Sequence, residues 1–384
     1  MTRAAKLLMV LAGAVLLTAC GKNKNVDAPS ELTDFETKIR VQKAWSAGVG
    51  GDKPKLRLGL GVAVDGERAF TAGHGGDVLA VDARTGKRLW KTDTKLPLAG
   101  GPGAGGGLVV VGSSFGDVVA LDAMTGKQRW KTRVNSEILS APAVDEDLVV
   151  VRAVDGHVFG LAAFDGQQRW NADQQVPRLS LRGTATPIIV GDIVACGFDN
   201  GRVLALNRRD GTTAWEVTVS PPTGRTELQR LVDIDSAIRA EGDDLYVVTF
   251  QGRIARIGRE TGQVSWTREM SSYRGLTVDD DGVYVSTSDG EVVKIGRRTG
   301  VEMWRQKVLS HRRLSAPALL GGQVVVADLD GYVHFLDVEK GELSARIGSG
   351  GERVSAAPVV VGDEVLVIND DGDLSAFRIR GPKG

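Results

Sequence analysis

Phe115 to Trp130 read "FGDVVALDAMTGKQRW". Within this stretch "DVVALD" alternates as a β-strand does, "AMTG" offers a turn whose glycine can take a positive φ, and "KQRW" begins a returning strand. Segments 75–90, 155–170, 200–215, 251–266 and 289–304 align with it without gaps; 330–345 follows without its Trp, and "DGDLSAFRI" (371–379) is a truncated last copy. The second glycines of these eight copies fall at 76, 116, 156, 201, 252, 290, 331 and 372, so the steps are 40, 40, 45, 51, 38, 41 and 41. Steps near 40 fit one four-stranded propeller blade per repeat.

Each copy is preceded by a second apolar run such as "EDLVVVRAVDG", and that run by a small-residue lead-in such as "LSAPAV". The blade is therefore predicted as a small-residue strand, a Val-rich strand, an alternating strand and a Trp strand. The small residues belong nearest the crowded axis. Copy eight lacks its outermost strand, whereas "KIRVQKAW" (38–45) is a Trp strand without a blade. Joining the two closes the ring and removes exposed sheet edges. The predicted fold is an all-β, eight-bladed propeller of four-stranded antiparallel blades, closed by an N-terminal strand completing the last blade. The seven Trp (45, 90, 130, 170, 215, 266, 304) then share one equivalent position, as packing residues.

Among 384 residues, 48 basic side chains balance 48 acidic ones, which gives the surface no general pull on nucleic acid. The first residues carry Arg3 and Lys6, then the apolar "LLMVLAGAVLL" (7–17), then "LTAC". Eleven apolar residues fall short of the roughly 20 that span a membrane, so the segment reads as a cleaved signal. Leu17 to Cys20 resembles the bacterial lipobox, which implies that Cys20 is lipidated and becomes the first mature residue. Gly21, in place of an Asp, resembles lipoproteins sent to the outer membrane, facing the periplasm. The expected organisation is a signal peptide over 1–19, lipidated Cys20 and a flexible tether over 20–37, and one propeller domain over 38–384. Cys196 would be the remaining free thiol, read as a buried structural residue in "GDIVACGFDNG". The glycine-rich "LAGGPGAGGG" (98–107) lacks the Lys-Ser or Lys-Thr ending of a phosphate loop and is expected to be a flexible lead-in to blade two. The four histidines show no metal-ligand spacing, so no metal is expected.

Two connections break the repeat. Trp130 to Pro142 takes 12 residues and Trp304 to Pro317 takes 13, against 17 from Trp170 to Pro187 and 23 from Trp215 to Ile238. Both long connections run from an outermost strand to the next innermost strand, and they are consecutive, so they emerge side by side on one face. "LSLRGTATP" (179–187) and "PPTGRTELQRLVDID" (221–235) bring Leu179, Leu181, Arg182, Arg225, Arg230, Asp233 and Asp235 into one neighbourhood. Apolar side chains beside guanidinium and carboxylate groups suit a protein-binding hot spot. Arg182 pairing with Asp233 or Asp235 only to order the loops is the plainer alternative.

Ala80, Gly86, Trp90 and Ala120, Gly126, Trp130 resemble the tryptophan-docking repeat of pyrroloquinoline quinone propellers. That likeness raises a quinone-dependent dehydrogenase, or a carbohydrate-binding propeller, as the rival reading. A mature chain with one free thiol lacks the vicinal cysteine pair of those enzymes, so no cofactor is expected. Lipobox, tether, eight repeats and the two loop motifs together resemble the BamB family, propeller lipoproteins of the bacterial β-barrel assembly machinery. The resemblance implies a non-catalytic scaffold whose loops bind a periplasmic POTRA domain of the barrel-inserting subunit BamA, through Leu179, Leu181, Arg182, Asp233 and Asp235, with Arg230 beside them. Contact with unfolded barrel proteins is left open. "SAI" (236–238) departs from the Thr-Thr-Pro of that motif, which puts the lead-in to blade five in question.

Overall fold

A computed structural model describes residues 27–49, 60–177, 179–181 and 185–382. These form eight four-stranded antiparallel sheets and, among the described residues, no α-helix. In blade two, Leu98–Gly105, Leu108–Ser113, Asp117–Asp122 and Gln128–Arg133 pair in sequence order. The first strand of each blade lies innermost, where it meets the first strands of its neighbours. Blade eight is composite: Ile39–Gly48 pairs antiparallel with Asp373–Pro382, supplying the outermost strand as the repeat predicts.

The alternation in "DVVALD" has a different physical meaning from a core side and a solvent side. All of Val118 to Leu121 are buried. Val118 and Ala120 pack with Val149, Val151 and Phe159 of blade three, whereas Val119 and Leu121 pack with Phe70 and Val78 of blade one. Odd and even side chains thus serve two different seams. Eight such apolar clusters occupy the eight seams, and together they are the core.

The tryptophans join the seams. Trp90, Trp130 and Trp170 sit opposite Ala80, Ala120 and Gly160 on the neighbouring strand. Each indole N–H donates across the seam to a turn carbonyl of the next blade: Trp90 to Ala123 at 3.0 Å, Trp130 to Ala163 at 2.7 Å, Trp170 to Arg208 at 3.0 Å. Each ring also lies on the turn glycine of that blade. A Cβ on Gly166, where φ is +74°, would stand 2.5 Å from the Trp130 ring. Trp45 lies in the same way against Gly86 of blade one and seals the ring. Ala345 takes the Trp position in blade seven, opposite Phe335. Blade eight has no glycine turn there to receive an indole, because its two outer strands come from opposite ends of the chain.

Two expectations about flexibility are corrected. The glycine-rich segment is the strand Leu98–Gly105, and its glycines permit close packing: a Cβ on Gly103 would stand 1.9 Å from the Pro142 carbonyl oxygen. Residues 27–37, expected to be tether, lie against blade seven. Ser30 N donates to Ser310 O at 3.0 Å, Arg312 Nη1 donates to Ser30 O at 2.9 Å, and Leu32 and Phe35 pack on the seam between blades six and seven. Arg312 is fixed from beneath by Asp328, 2.7 Å from its Nε, and the buried His334 lies 3.0 Å from the same carboxylate. Apolar contacts and a backbone held by a buried guanidinium explain why this stretch is ordered. The signal segment and Cys20 lie outside the described residues.

Candidate functional site: the two extended connections

Among the described residues, six of the connections from an outermost to the next innermost strand are latched by two backbone hydrogen bonds. Between blades two and three, Ile138 N donates to Ser113 O at 3.2 Å and Val154 N to Glu137 O at 3.0 Å. Between blades four and five, Ile234 N donates to Phe198 O at 3.2 Å and Phe250 N to Asp233 O at 2.8 Å. Asp233 therefore occupies the position that Glu137 holds in a short connection. The extra length lies before it, and the strand Arg239–Glu241 starts directly after Ile238, so "SAI" delivers the chain to blade five in the ordinary way.

The added part of the second loop folds on itself. Leu228–Arg230 is one turn of 3-10 helix, closed by Arg230 N donating to Glu227 O at 3.1 Å. The Gln229 side-chain oxygen accepts from Arg225 N at 3.0 Å and Thr226 N at 3.3 Å. This small ring of bonds holds Leu228 outward, 64% exposed. Leu228 is a feature that the sequence reading missed; an apolar residue in an otherwise polar, strand-free insertion was the available signal. Arg225 and Arg230 are exposed on the same turn.

The two loops meet where Leu181 N donates to the Asp233 carboxylate. Leu179 and Leu181 are 43% and 44% exposed, while Asp233 is buried completely. Burial pushes the Asp233 carboxyl up to about 6; nearby Asp199 adds to the rise, while the Leu181 N–H and Arg152 oppose it. Below Asp233 lies a buried ion pair, Arg152 Nη2 to Asp199 Oδ1 at 2.8 Å, with the guanidinium 5.0 Å from the Phe198 ring centre. These residues come from the second strand of blade three, the turn after the second strand of blade four and the connection to blade five, and no sequence spacing announces them. Cys196 is buried close by, its thiol pushed up to about 12 by desolvation, which makes it an inert packing residue.

Sequence reasoning grouped seven residues, and the geometry sorts them. Leu179, Leu181 and Asp233 come together; Arg225 and Arg230 ride on the neighbouring 3-10 turn. Asp235 turns inward, with both carboxylate oxygens buried at the axial cavity. Arg182 lies outside the described residues. Neither carboxylate is thus a surface group. Asp233 acts on the surface through the Leu181 backbone, and the exposed chemistry is that of leucines flanked by arginines.

Comparison with known proteins identifies the family and the fold. The family described as "Outer membrane protein assembly factor BamB" matches residues 41–95, 74–306 and 277–383. A protein of that name from Pseudomonas aeruginosa is 46% identical over 372 residues, covering 97% of this chain and 98% of its own. The crystal structure of BamB from Moraxella catarrhalis superposes with a TM-score of 0.81 at 28% identity, covering 88% of this chain and 100% of that one. Quinohemoprotein alcohol dehydrogenase from Comamonas testosteroni superposes with a TM-score of 0.69 at 14% identity, over 90% of this chain and 77% of that one, a likeness of fold alone.

Proposed function

Because this chain belongs to the BamB family of outer membrane protein assembly factors, we propose that it is a non-catalytic scaffold of the assembly complex, docking a POTRA domain of a BamA-like subunit through its two extended loops. The observation that carries this reading is the pair of exposed leucines, Leu179 and Leu181, on a loop whose backbone is held by the buried Asp233. Exposed apolar side chains cost little entropy to dock when the backbone beneath them is already fixed. Arg225 and Arg230 supply a polar rim, and Arg182 belongs to the same proposed surface.

Lipidation of Cys20 anchors the chain to the outer membrane on the periplasmic side. Ser30 is held at Ser310, which lies in the connection between blades six and seven, on the face that carries the docking loops. Ten residues separate Cys20 from Ser30, a reach of at most about 35 Å. The part of this face at Ser310 is therefore kept within that distance of the lipid anchor.

The test is co-purification from membranes. Leu179→Ala with Leu181→Ala is expected to remove the BamA-like partner while the propeller melts at its usual temperature. Undiminished recovery of the partner by this folded double variant sinks the assignment.

A further inference from the structure

The axis of the ring is not filled. At the end where the connecting loops emerge, a cavity of about 400 Å³ is lined by residues of all eight blades, from their first strands or the lead-ins to them. That volume lies within the usual range of small-molecule sites. Most of its wall is glycine, alanine, serine and proline, but blades five and six contribute Arg239, Tyr273 and Arg274.

Both guanidinium groups are bound only on one side. Arg239 donates Nε to Leu276 O at 3.3 Å. Arg274 donates Nη1 to Ser355 O at 3.1 Å and stacks on Tyr273 at 5.0 Å, and its Nε is buried with no hydrogen-bond partner among the described residues. Neither has a carboxylate within 4.0 Å among the described residues. Asp235, the acidic residue in the wall, is engaged by a contact of its own.

Positive charge drawn out of bulk water without a counter-charge is costly. An anion in the cavity gives both guanidinium groups the counter-charge they lack, because guanidinium donates to oxygen. We propose that the axial cavity is a binding site for a small oxyanion, a carboxylate or phosphate of metabolite size, held by Arg239 and Arg274. The site is separate from the leucine surface, so its occupancy can be tested without the docking partner.

Isothermal titration of the full-length chain in detergent, at low ionic strength, with citrate and separately with inorganic phosphate, provides the test. Saturable one-to-one binding of at least one of them is expected, and the one that binds identifies the source as carboxylate or phosphate. Arg239→Gln and Arg274→Gln should each weaken it about tenfold or more, the worth of one charge-assisted hydrogen bond. The wild-type chain gives a second reading that needs no variant to fold. Phenylglyoxal modification, mapped by mass spectrometry, should slow at Arg239 and Arg274 when the anion is present and not at the exposed Arg84. Absence of saturable binding with both anions, binding indifferent to both substitutions, or unprotected arginines would overturn the site.

Discussion

The two ends of the propeller are built under opposite constraints. At the end that carries the Trp–Gly contacts, the chain repeats one solution: an indole laid on a glycine turn and bonded to a carbonyl of the next blade, as at Trp130 with Gly166 and Ala163. At the other end, where outermost strands hand over to innermost ones, the two latch bonds repeat but the chain before them does not, so the second loop carries an added 3-10 turn. Repetition marks what the ring needs in order to close. Departure from it, on a latch that is kept, marks where length has been added without cost to the ring.

The largest effect is expected at the repeated end. Trp130→Ala should lose about 3 to 5 kcal/mol of stability in urea unfolding, as removal of a buried indole usually does. Gly166→Val should be comparably damaging, since its φ of +74° and the 2.5 Å approach of the Trp130 ring leave no space for a side chain. A mild effect at either position would mean that the tryptophans do not hold the seams.

An intermediate effect is expected at the loop end, and in binding instead of stability. Truncating Leu179 and Leu181 should leave unfolding within about 0.5 kcal/mol of the parent. It should weaken partner binding by about 2 to 4 kcal/mol, the range of interface hot spots, measurable by titration with an isolated POTRA domain. Destabilisation of the fold by this pair would blur the contrast between the two ends.

The smallest effect concerns Asp233. Its carboxyl is raised from 3.8 to about 6 in the folded chain, so the folded state holds a proton that the unfolded state has released. The associated stabilisation is complete below about pH 4 and is lost as pH rises through 6. Asp233→Asn should flatten this slope and stabilise the chain at pH 7.5 by about 1 to 3 kcal/mol, while its side-chain oxygen can still accept from Leu181 N. A pH profile of thermal unfolding that is identical for both chains would show that burial of this charge is not what the geometry indicates.

The period of about 40, the Ala–Gly–Trp spacing and the unpaired "KIRVQKAW" made the ring, its strand order and its closure legible, because a seam contact recurs at a fixed offset in every blade. Loop lengths measured from Trp to the next lead-in located the two extended connections. The bond between Leu181 and Asp233 was not legible, since 52 residues separate them and only the curvature of the ring brings them together. For the same reason the sequence placed Asp233 and Asp235 on the surface, although both carboxylates are buried. Polar composition suggested that residues 27–37 were free. Their order depends on Ser310, Arg312 and the seam between blades six and seven, some 280 residues away.

The difference between the ends can be read directly with a photo-crosslinking residue placed, in cells, at Leu181 on one end or at Met124 on the other; both positions are exposed. The account predicts a crosslink to a BamA-like subunit from position 181 and none from position 124. A crosslink from position 124 alone, or none from position 181 in a folded and lipidated chain, would contradict it.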